Sequence, residues 1–86
     1  LGMTLTDEES RIYTQMNLRV GTLRRDELTT YRGLLKRLYR ANSERRAYDP
    51  KLLRKRLVYR YKLACKCFYP SWTVKIRKRL LWLELR

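Results

Sequence analysis

The sequence predicts an all-α protein, and three observations support that fold class. Apolar residues recur along most of the chain at intervals of three and four, which is the spacing of one helical face. Only three glycines and two prolines interrupt the 86 residues, which favours long helices over many short strands and turns. No segment gives a strand pattern that competes with the helical spacing. We expect a helical arm over residues 1–21, followed by a three-helix bundle over residues 22–86.

The arm begins with a recognisable helix start. Thr6 is followed three residues later by Glu9, the spacing at which the two side chains cap each other's backbone N–H groups. An apolar stripe then runs through the arm helix, and Gly21 is placed to end it. We expect this stripe to dock on the rest of the domain or on a neighbouring chain. Its members are Ile12, Tyr13, Met16 and Val20.

The first bundle helix, over residues 22–42, sets an apolar seam beside a row of cations. Gly33 lies inside it and costs about 1 kcal/mol relative to alanine, so it is either a tolerated surface glycine or a point of close approach. Residues 44–48 follow as a polar connector. The seam is formed by Leu28, Tyr31, Leu35 and Leu38, and the cations are Arg32, Lys36, Arg37 and Arg40.

The second bundle helix starts at Asp49-Pro50 and runs to about Cys67. Aspartate is a good N-cap, and proline fits the first helical position because its missing N–H has no partner there. The helix ends before Pro70, since the residue preceding a proline disfavours helical geometry. Its apolar arc contains Leu53, Leu57, Tyr61, Ala64 and Phe68, and its far side carries Lys51, Lys55, Lys62 and Lys66.

The last helix, over residues 72–85, is predicted to be capped by Ser71 and is apolar nearly all round. Such a helix is buried in a larger assembly or clamps a partner. One stripe contains Trp72, Ile76, Leu80 and Leu83, beside a basic cluster of Arg77, Lys78 and Arg79.

Charge is the strongest functional signal. The chain has 22 Lys and Arg against 8 Asp and Glu, a net charge of +14, and residues 51–86 hold twelve cations and one acid, Glu84. Such a surface favours a polyanion: RNA, an anionic membrane or an acidic protein. The residues predicted to contact it are Lys51, Lys55, Lys62, Lys66, Arg77, Lys78 and Arg79.

The chain lacks the groups that most enzymes and metal sites use. It has no histidine and no glycine-rich phosphate loop, and its acids sit mainly at helix starts, where capping explains them. Cys65 and Cys67 are too few for a four-ligand zinc site and point apart on a helix, so we expect reduced thiols in an intracellular or organelle-matrix setting. No run of eighteen apolar residues predicts a transmembrane helix. We therefore predict a non-enzymatic protein with no metal and no cofactor of its own.

Aromatic residues interleave with the cations in three places: Tyr59-Arg60-Tyr61-Lys62, Tyr39-Arg40, and Trp72 near Lys75. Such residues stack on bases and neutralise phosphates in RNA-binding proteins. The alternative is that the tyrosines are core residues with their hydroxyls at the rim. The composition favours a ribosomal protein that contacts the RNA backbone more than its sequence.

The segment Thr30-Tyr31-Arg32-Gly33-Leu34-Leu35-Lys36 resembles the start of the LYR family of small mitochondrial helical proteins. Their first helix carries Leu-Tyr-Arg, followed by a Leu-Leu-basic run. The order of helices over residues 22–42, 50–67 and 72–85 is also similar. The resemblance implies a bundle that binds mitochondrial acyl carrier protein, takes the acyl-pantetheine chain into its core and meets the carrier's acidic surface with basic residues.

Carried over to this chain, the resemblance implies two sets of site residues. Thr30 departs from the motif, where the family has leucine, while Leu34 matches the first leucine of the Leu-Leu pair. The carrier-binding set is Tyr31, Arg32, Lys36 and Arg40, and the set around the acyl chain is Leu35, Leu38, Leu57, Tyr61 and Phe68, with Phe68 at the place of a downstream family phenylalanine.

The leading hypothesis is a non-enzymatic adaptor of the mitochondrial matrix. It would bind acyl carrier protein, whose acyl-4′-phosphopantetheine is the one cofactor implied. Its basic C-terminal helices would dock on the mitochondrial ribosome or an assembly intermediate. Two alternatives stay open: a structural mitochondrial ribosomal protein that contacts rRNA directly, and an accessory subunit of a respiratory complex.

Overall fold

The computed structural model describes residues 5–43 and 49–85, and the elements in these ranges are all helical. The all-α prediction is therefore confirmed for the described residues. The predicted connector over residues 44–48 lies outside them. The helices are α1 (Asp7–Leu18), α2 (Arg25–Ser43), α3 (Pro50–Cys65) and α4 (Ser71–Glu84), with a short 3-10 turn over Val20–Thr22.

Two helix starts form as their local sequences predict. At α1 the Glu9 backbone N–H donates to Thr6 Oγ1 over 3.2 Å, and the Thr6 N–H donates back to Glu9 Oε1 over 3.2 Å. At α3 the Lys51 N–H donates to Asp49 Oδ1 over 3.0 Å, with Pro50 at the first helical position. These contacts satisfy N–H groups that the helices themselves leave without partners.

Other helix boundaries differ from the sequence-based expectations. The chain leaves α1 at Leu18 because residues 20–22 form a 3-10 turn, so Gly21 does not end the helix. The α3 helix ends at Cys65, where the N–H groups of Phe68 and Tyr69 both bond back to the Cys65 carbonyl over 3.0 Å. In α4, Pro70 occupies the cap position without a side-chain hydrogen bond, so Ser71 is the first helical residue and not the cap.

The helices share one apolar core. Successive helices pack against each other in chain order, and the Val20–Thr22 turn packs on α3. The molecule is flat, with extents of 37 × 26 × 15 Å. Of the two docking options for the N-terminal arm, the structure shows the first, because α1 contributes Tyr13 and Met16 to the same core as the other helices. The largest fully buried side chains are Tyr31, Tyr61, Leu35, Leu57, Leu81, Leu85 and Cys65.

Tyr31 joins α1 to α2. Its ring stacks on that of Tyr13 with the centroids 6.0 Å apart, and its hydroxyl donates to Asn17 Oδ1 over 2.6 Å. The side chain is fully buried, and that burial raises the pKa of Tyr31 above its usual range. A buried tyrosine with its hydroxyl satisfied contributes apolar contact without an unpaired polar group.

Among the described residues, and apart from the adjoining backbone of α2, a Cβ atom added to Gly33 would meet no atom within 4 Å. Within this chain, Gly33 is therefore a tolerated surface glycine. We expect Gly33→Ala to raise the free energy of unfolding by about 0.5–1 kcal/mol, since glycine loses more backbone entropy than alanine in a helix. Urea denaturation followed by circular dichroism would measure the change. A loss of stability would contradict this assignment.

Candidate functional site

One candidate site is a cavity of about 270 Å³ lined by side chains of α2, α3, α4 and the turn that follows α3. We call it the arginine pocket, because three guanidinium groups line it: Arg25 and Arg32 from α2, and Arg77 from α4. Such a concentration of cations around a concave surface favours an anionic ligand. The remaining lining residues are Leu28, Thr29, Tyr61, Tyr69 and Leu80.

Two of the three arginines are held on an aromatic ring. The guanidinium carbons of Arg25 and Arg77 lie 5.7 Å and 3.9 Å from the centroid of the Tyr69 ring, in cation–π contact. Tyr61 lines the same pocket. Burial raises the pKa of its hydroxyl, whereas Arg77 and Arg32 lower that pKa by a smaller amount. Tyr69 therefore helps to keep two cations at the cavity although they come from different helices.

The third arginine, Arg32, has an internal acidic partner. Its guanidinium forms an ion pair with Glu84 of α4, and Lys36 Nζ lies 3.6 Å from Glu84 Oε2. The hydrogen bond from Arg32 is the main reason why the pKa of Glu84 is lowered from its ordinary value. Arg32 and Lys36 thus already bind one carboxylate, and they lie on successive turns of one face of α2.

The four residues expected to bind the carrier do not share one surface. Tyr31 is fully buried against α1, so its side chain offers no contact to a partner. Arg32 and Lys36 are half-buried beside Glu84, whereas Arg40 is exposed further along α2. Arg40 instead lines a shallow hollow that also includes Lys36.

The residues expected around an acyl chain lie mainly in the protein's own core. Leu35, Leu38, Leu57 and Tyr61 are buried there, and of this set Tyr61 alone lines the arginine pocket. Phe68 is half-buried in the turn after α3, with its ring edge-on to Tyr69 at 6.4 Å between centroids.

A second candidate site is an open groove of about 800 Å³ between α3 and α4. We call it the lysine groove. Five cations from the two helices line it, and none of the described residues in its lining is acidic. A neighbouring hollow shares Lys62, Lys75 and Lys78 and extends the basic surface to Lys66. The lining of the groove is Lys55, Val58, Tyr59, Lys62, Lys75, Lys78, Arg79, Trp82 and Leu83.

Most of the residues predicted to contact a polyanion meet at this surface. Lys55, Lys62, Lys78 and Arg79 line the groove, and Lys66 lines its extension. The other two lie elsewhere. Arg77 faces the arginine pocket, because it is about 100° from Lys78 around the helix, and Lys51 is exposed in the first turn of α3.

The aromatic residues of the groove match those expected from the sequence only in part. Tyr39 and Tyr61 are buried core residues, and Trp72 is exposed but does not line the groove. Of the aromatic residues expected to meet RNA, Tyr59 does line the groove, and Trp82, which was not expected there, lines it as well. Sequence reasoning missed Trp82, although its spacing of four and seven residues from Lys78 and Lys75 places all three on one face of α4.

No family model, curated protein or solved structure matches this chain. The similarity to the LYR family therefore rests on the segment over residues 30–36 and the order of the helices. Across residues 5–43 and 49–85, no three metal-ligating side chains come together, and no helix is long and apolar enough to cross a membrane.

Proposed function

We propose that this chain is a non-enzymatic adaptor of the mitochondrial matrix with two binding surfaces. The arginine pocket binds an acyl carrier protein. The lysine groove docks on RNA of the mitochondrial ribosome or an assembly intermediate. In this proposal residues 22–86 act as an LYR-like three-helix bundle, and residues 1–21 form an added helical arm. The observation that carries it is the position of Arg32, which matches the arginine of the motif and lines the arginine pocket.

The chemistry of the pocket suits a carrier with a phosphopantetheine group. Arg25, Arg32 and Arg77 supply charge for a phosphate and for carboxylates on the carrier's surface. Leu28 and Leu80 supply an apolar lining for the less polar part of the phosphopantetheine group. The chain's own role is to bind and orient the carrier.

Glu84 gives independent support for an acidic partner. Its carboxylate pairs with both Arg32 and Lys36, so these two cations already hold a carboxylate in this chain. An acidic side chain of a carrier would bind there by displacing Glu84. That exchange replaces one ion pair by another, and the displaced Glu84 carboxylate, whose side chain is 40% exposed, is solvated by water.

The two surfaces lie on different sides of α4. Arg77 lines the arginine pocket, while Lys78 and Arg79 line the lysine groove. One ligand does not have to leave before the other binds. This separation favours an adaptor over a protein with a single binding site.

The lysine groove by itself supports the second candidate function, a structural ribosomal protein that contacts rRNA without any carrier. Affinity purification followed by intact mass analysis distinguishes the two. Recovery of an acyl carrier protein with a pantetheine-linked acyl chain supports the adaptor. Recovery of rRNA and ribosomal proteins without a carrier supports the structural ribosomal protein and contradicts the adaptor.

Arg32→Glu should weaken carrier binding by about tenfold or more at low salt, because it turns an attraction for an acidic surface into a repulsion. Glu84→Gln should strengthen binding, because it removes the internal competitor of Arg32 and Lys36. Isothermal titration with purified acylated carrier would measure both affinities, with circular dichroism to verify folding.

The matched control is Arg11→Glu, which reverses an exposed arginine on α1. It should weaken binding far less than Arg32→Glu, although both variants change the net charge equally. Equal losses in the two variants would show that net charge alone drives the association. The specific role of Arg32 would then be wrong.

A further inference from the structure

We propose that the lysine groove binds a single-stranded RNA segment and that one base of this segment stacks on Trp82. The inference deepens the RNA-docking half of the proposed function and rests on it, but it does not depend on carrier binding. In this proposal Trp82 contacts the ligand directly. The groove then recognises an unpaired nucleotide, and not only the negative charge that all polyanions share.

The cations of the groove are arranged along two facing walls. Lys55 and Lys62 come from α3, and Lys75, Lys78 and Arg79 come from α4. Since each helical residue rises about 1.5 Å, Lys55 and Lys62 lie about 10 Å apart along the α3 axis. A phosphate backbone lying in the groove would therefore meet positive charge on both sides over a short segment of chain.

The orientation of Trp82 is fixed from one side. The guanidinium carbon of Arg54 lies 3.6 Å from the centroid of the Trp82 ring, and Arg54 Nε donates to the Trp82 carbonyl oxygen over 2.8 Å. Arg54 thus holds both the backbone and the ring of Trp82. A ring that is already held loses little conformational entropy when a ligand stacks on it. Trp82 is half-buried and packs partly against the core. It lines the groove whereas Arg54 does not, so the proposal places the base on the part of the ring that the groove exposes.

Tyr59 provides a second aromatic ring in the same groove, and 57% of its surface is exposed. Aromatic rings combined with a basic channel are the usual means of binding single strands, since every base has a face that can stack. The two rings come from different helices, so they flank the channel. Lys and Arg side chains alone would bind any polyanion, whereas the two rings favour one with unpaired bases.

Duplex RNA and an anionic bilayer fit these residues less well. The bases of an A-form duplex are stacked inside the helix, so they do not reach Trp82. A bilayer would contact the exposed apolar side chains of α4 that do not line the groove, which are Trp72, Ile76 and Leu80. Trp72 is 68% exposed and does not line the groove. The two tryptophans of α4 therefore distinguish the ligands.

Fluorescence anisotropy on the purified full chain, without any carrier, tests the proposal. The probes are a fluorescein-labelled twelve-nucleotide oligouridine and a labelled RNA duplex of twelve base pairs. We expect tighter binding of the single strand and a loss of about tenfold or more in Trp82→Ala, because stacking contributes about 1–3 kcal/mol per base. Trp72→Ala, the matched control, should stay within about twofold of the unchanged protein.

Two further variants separate stacking from folding. Trp82→Phe keeps an aromatic face and should retain most of the affinity, whereas Trp82→Leu keeps apolar bulk and should lose it. Three results would each overturn the proposal. They are binding of the single strand by Trp82→Leu as tight as by the unchanged protein, tighter binding of the duplex than of the single strand, and a loss of affinity in Trp72→Ala equal to that in Trp82→Ala. Binding to vesicles of phosphatidylglycerol and phosphatidylcholine that depends on Trp72, with no binding of the single strand, would reassign the surface to a membrane.

The salt response adds a check on the five cations. For a single strand, the logarithm of the affinity falls with the logarithm of salt concentration by about 0.7 per phosphate neutralised. We expect a slope between about −2 and −3.5, which corresponds to roughly three to five contacts. Carrier binding is measured separately with Arg32→Glu. If the single strand does not bind, the proposal that the arginine pocket binds a carrier is unaffected. If the carrier does not bind, the proposal for the lysine groove is unaffected.

Discussion

Replacing Tyr31 with alanine should lower the free energy of unfolding by about 3–5 kcal/mol, the usual cost of removing a large buried aromatic side chain. Tyr31 is fully buried, stacks on Tyr13 and lies where α1 meets α2. A domain of this size has a total stability on the order of 5–10 kcal/mol. The variant should therefore be largely unfolded in mild urea and is expected to lose the packing of α1. Urea denaturation followed by circular dichroism and tryptophan fluorescence would measure the change.

Tyr31→Phe is the matched control, because it keeps the ring and removes the hydroxyl. We expect a loss of only about 1 kcal/mol, the net value of a typical hydrogen bond. The former partner, Asn17, is half-buried and therefore remains accessible to water. If Tyr31→Ala and Tyr31→Phe were equally stable, the stacking on Tyr13 would contribute nothing, and the core assignment of Tyr31 would be wrong.

The two residues of the Tyr-Arg motif have different roles, and Tyr31→Phe together with Arg32→Glu distinguishes them. Tyr31 and Arg32 are adjacent, so their side chains leave α2 about 100° apart. Tyr31 points into the core toward α1, and Arg32 reaches Glu84 and the arginine pocket. We therefore expect Tyr31→Phe to bind the carrier as the unchanged chain does. In the proposed function, Arg32 is the residue of this pair that would contact the carrier, and Tyr31 would act by holding α2 in place.

Local sequence was sufficient for the presence of the helices and for the apolar faces of α1, α2 and α3, but not for that of α4. The stripe predicted there, Trp72, Ile76, Leu80 and Leu83, is exposed, and the core side of α4 carries Val74 and Leu81 instead. The capping box of α1 and the Asp49-Pro50 start of α3 each involve residues no more than three positions apart. Their chemistry can therefore be read without knowing the fold. The end of α3 was less predictable. It depends on a turn in which Phe68 and Tyr69 both bond to the Cys65 carbonyl, and no single residue type marks that choice.

The site residues were predicted by type better than by location. A helical wheel places lysines on one side of α3, but it does not show which helix faces them. Arg77 and Lys78 were assigned to one cluster, and the packing of α4 places them on two different surfaces. Trp82 was not assigned to any site, because its neighbours on other helices were unknown. Its contact with Arg54 joins residues 28 positions apart, which no local pattern reveals.

Acidification should destabilise the fold, because three carboxylates bind cations between elements that meet on α2. Glu9 of α1 pairs with Arg37, Glu27 of α2 pairs with Arg19 at the end of α1, and Glu84 of α4 pairs with Arg32 and Lys36. These contacts are all present in the described part of the chain. Protonating the three acids would remove the attraction and leave the 22 cations of the chain to repel one another.

The lowered pKa values of the three glutamates determine whether stability rises or falls with pH. The pKa of Glu9 is lowered mainly by the Thr6 backbone N–H, that of Glu27 by the Arg19 hydrogen bond, and that of Glu84 by the Arg32 hydrogen bond. The folded state therefore holds fewer protons than the unfolded state near the ordinary glutamate pKa of 4.5. The stability that these groups contribute is present above that pH and is lost as the pH falls through the lower folded-state values.

Urea midpoints measured between pH 7 and pH 2.5 would test this expectation. The unchanged chain should show a steady fall below about pH 4.5, and the fall should be smaller in added salt, which screens repulsion between exposed cations. A variant with Glu9, Glu27 and Glu84 all replaced by glutamine should be less stable at pH 7 and show a flatter profile. Glu8→Gln, which alters an exposed neighbour of Glu9, should keep the profile of the unchanged chain. A triple variant with the original pH dependence would show that these ion pairs do not hold α1 and α4 to α2.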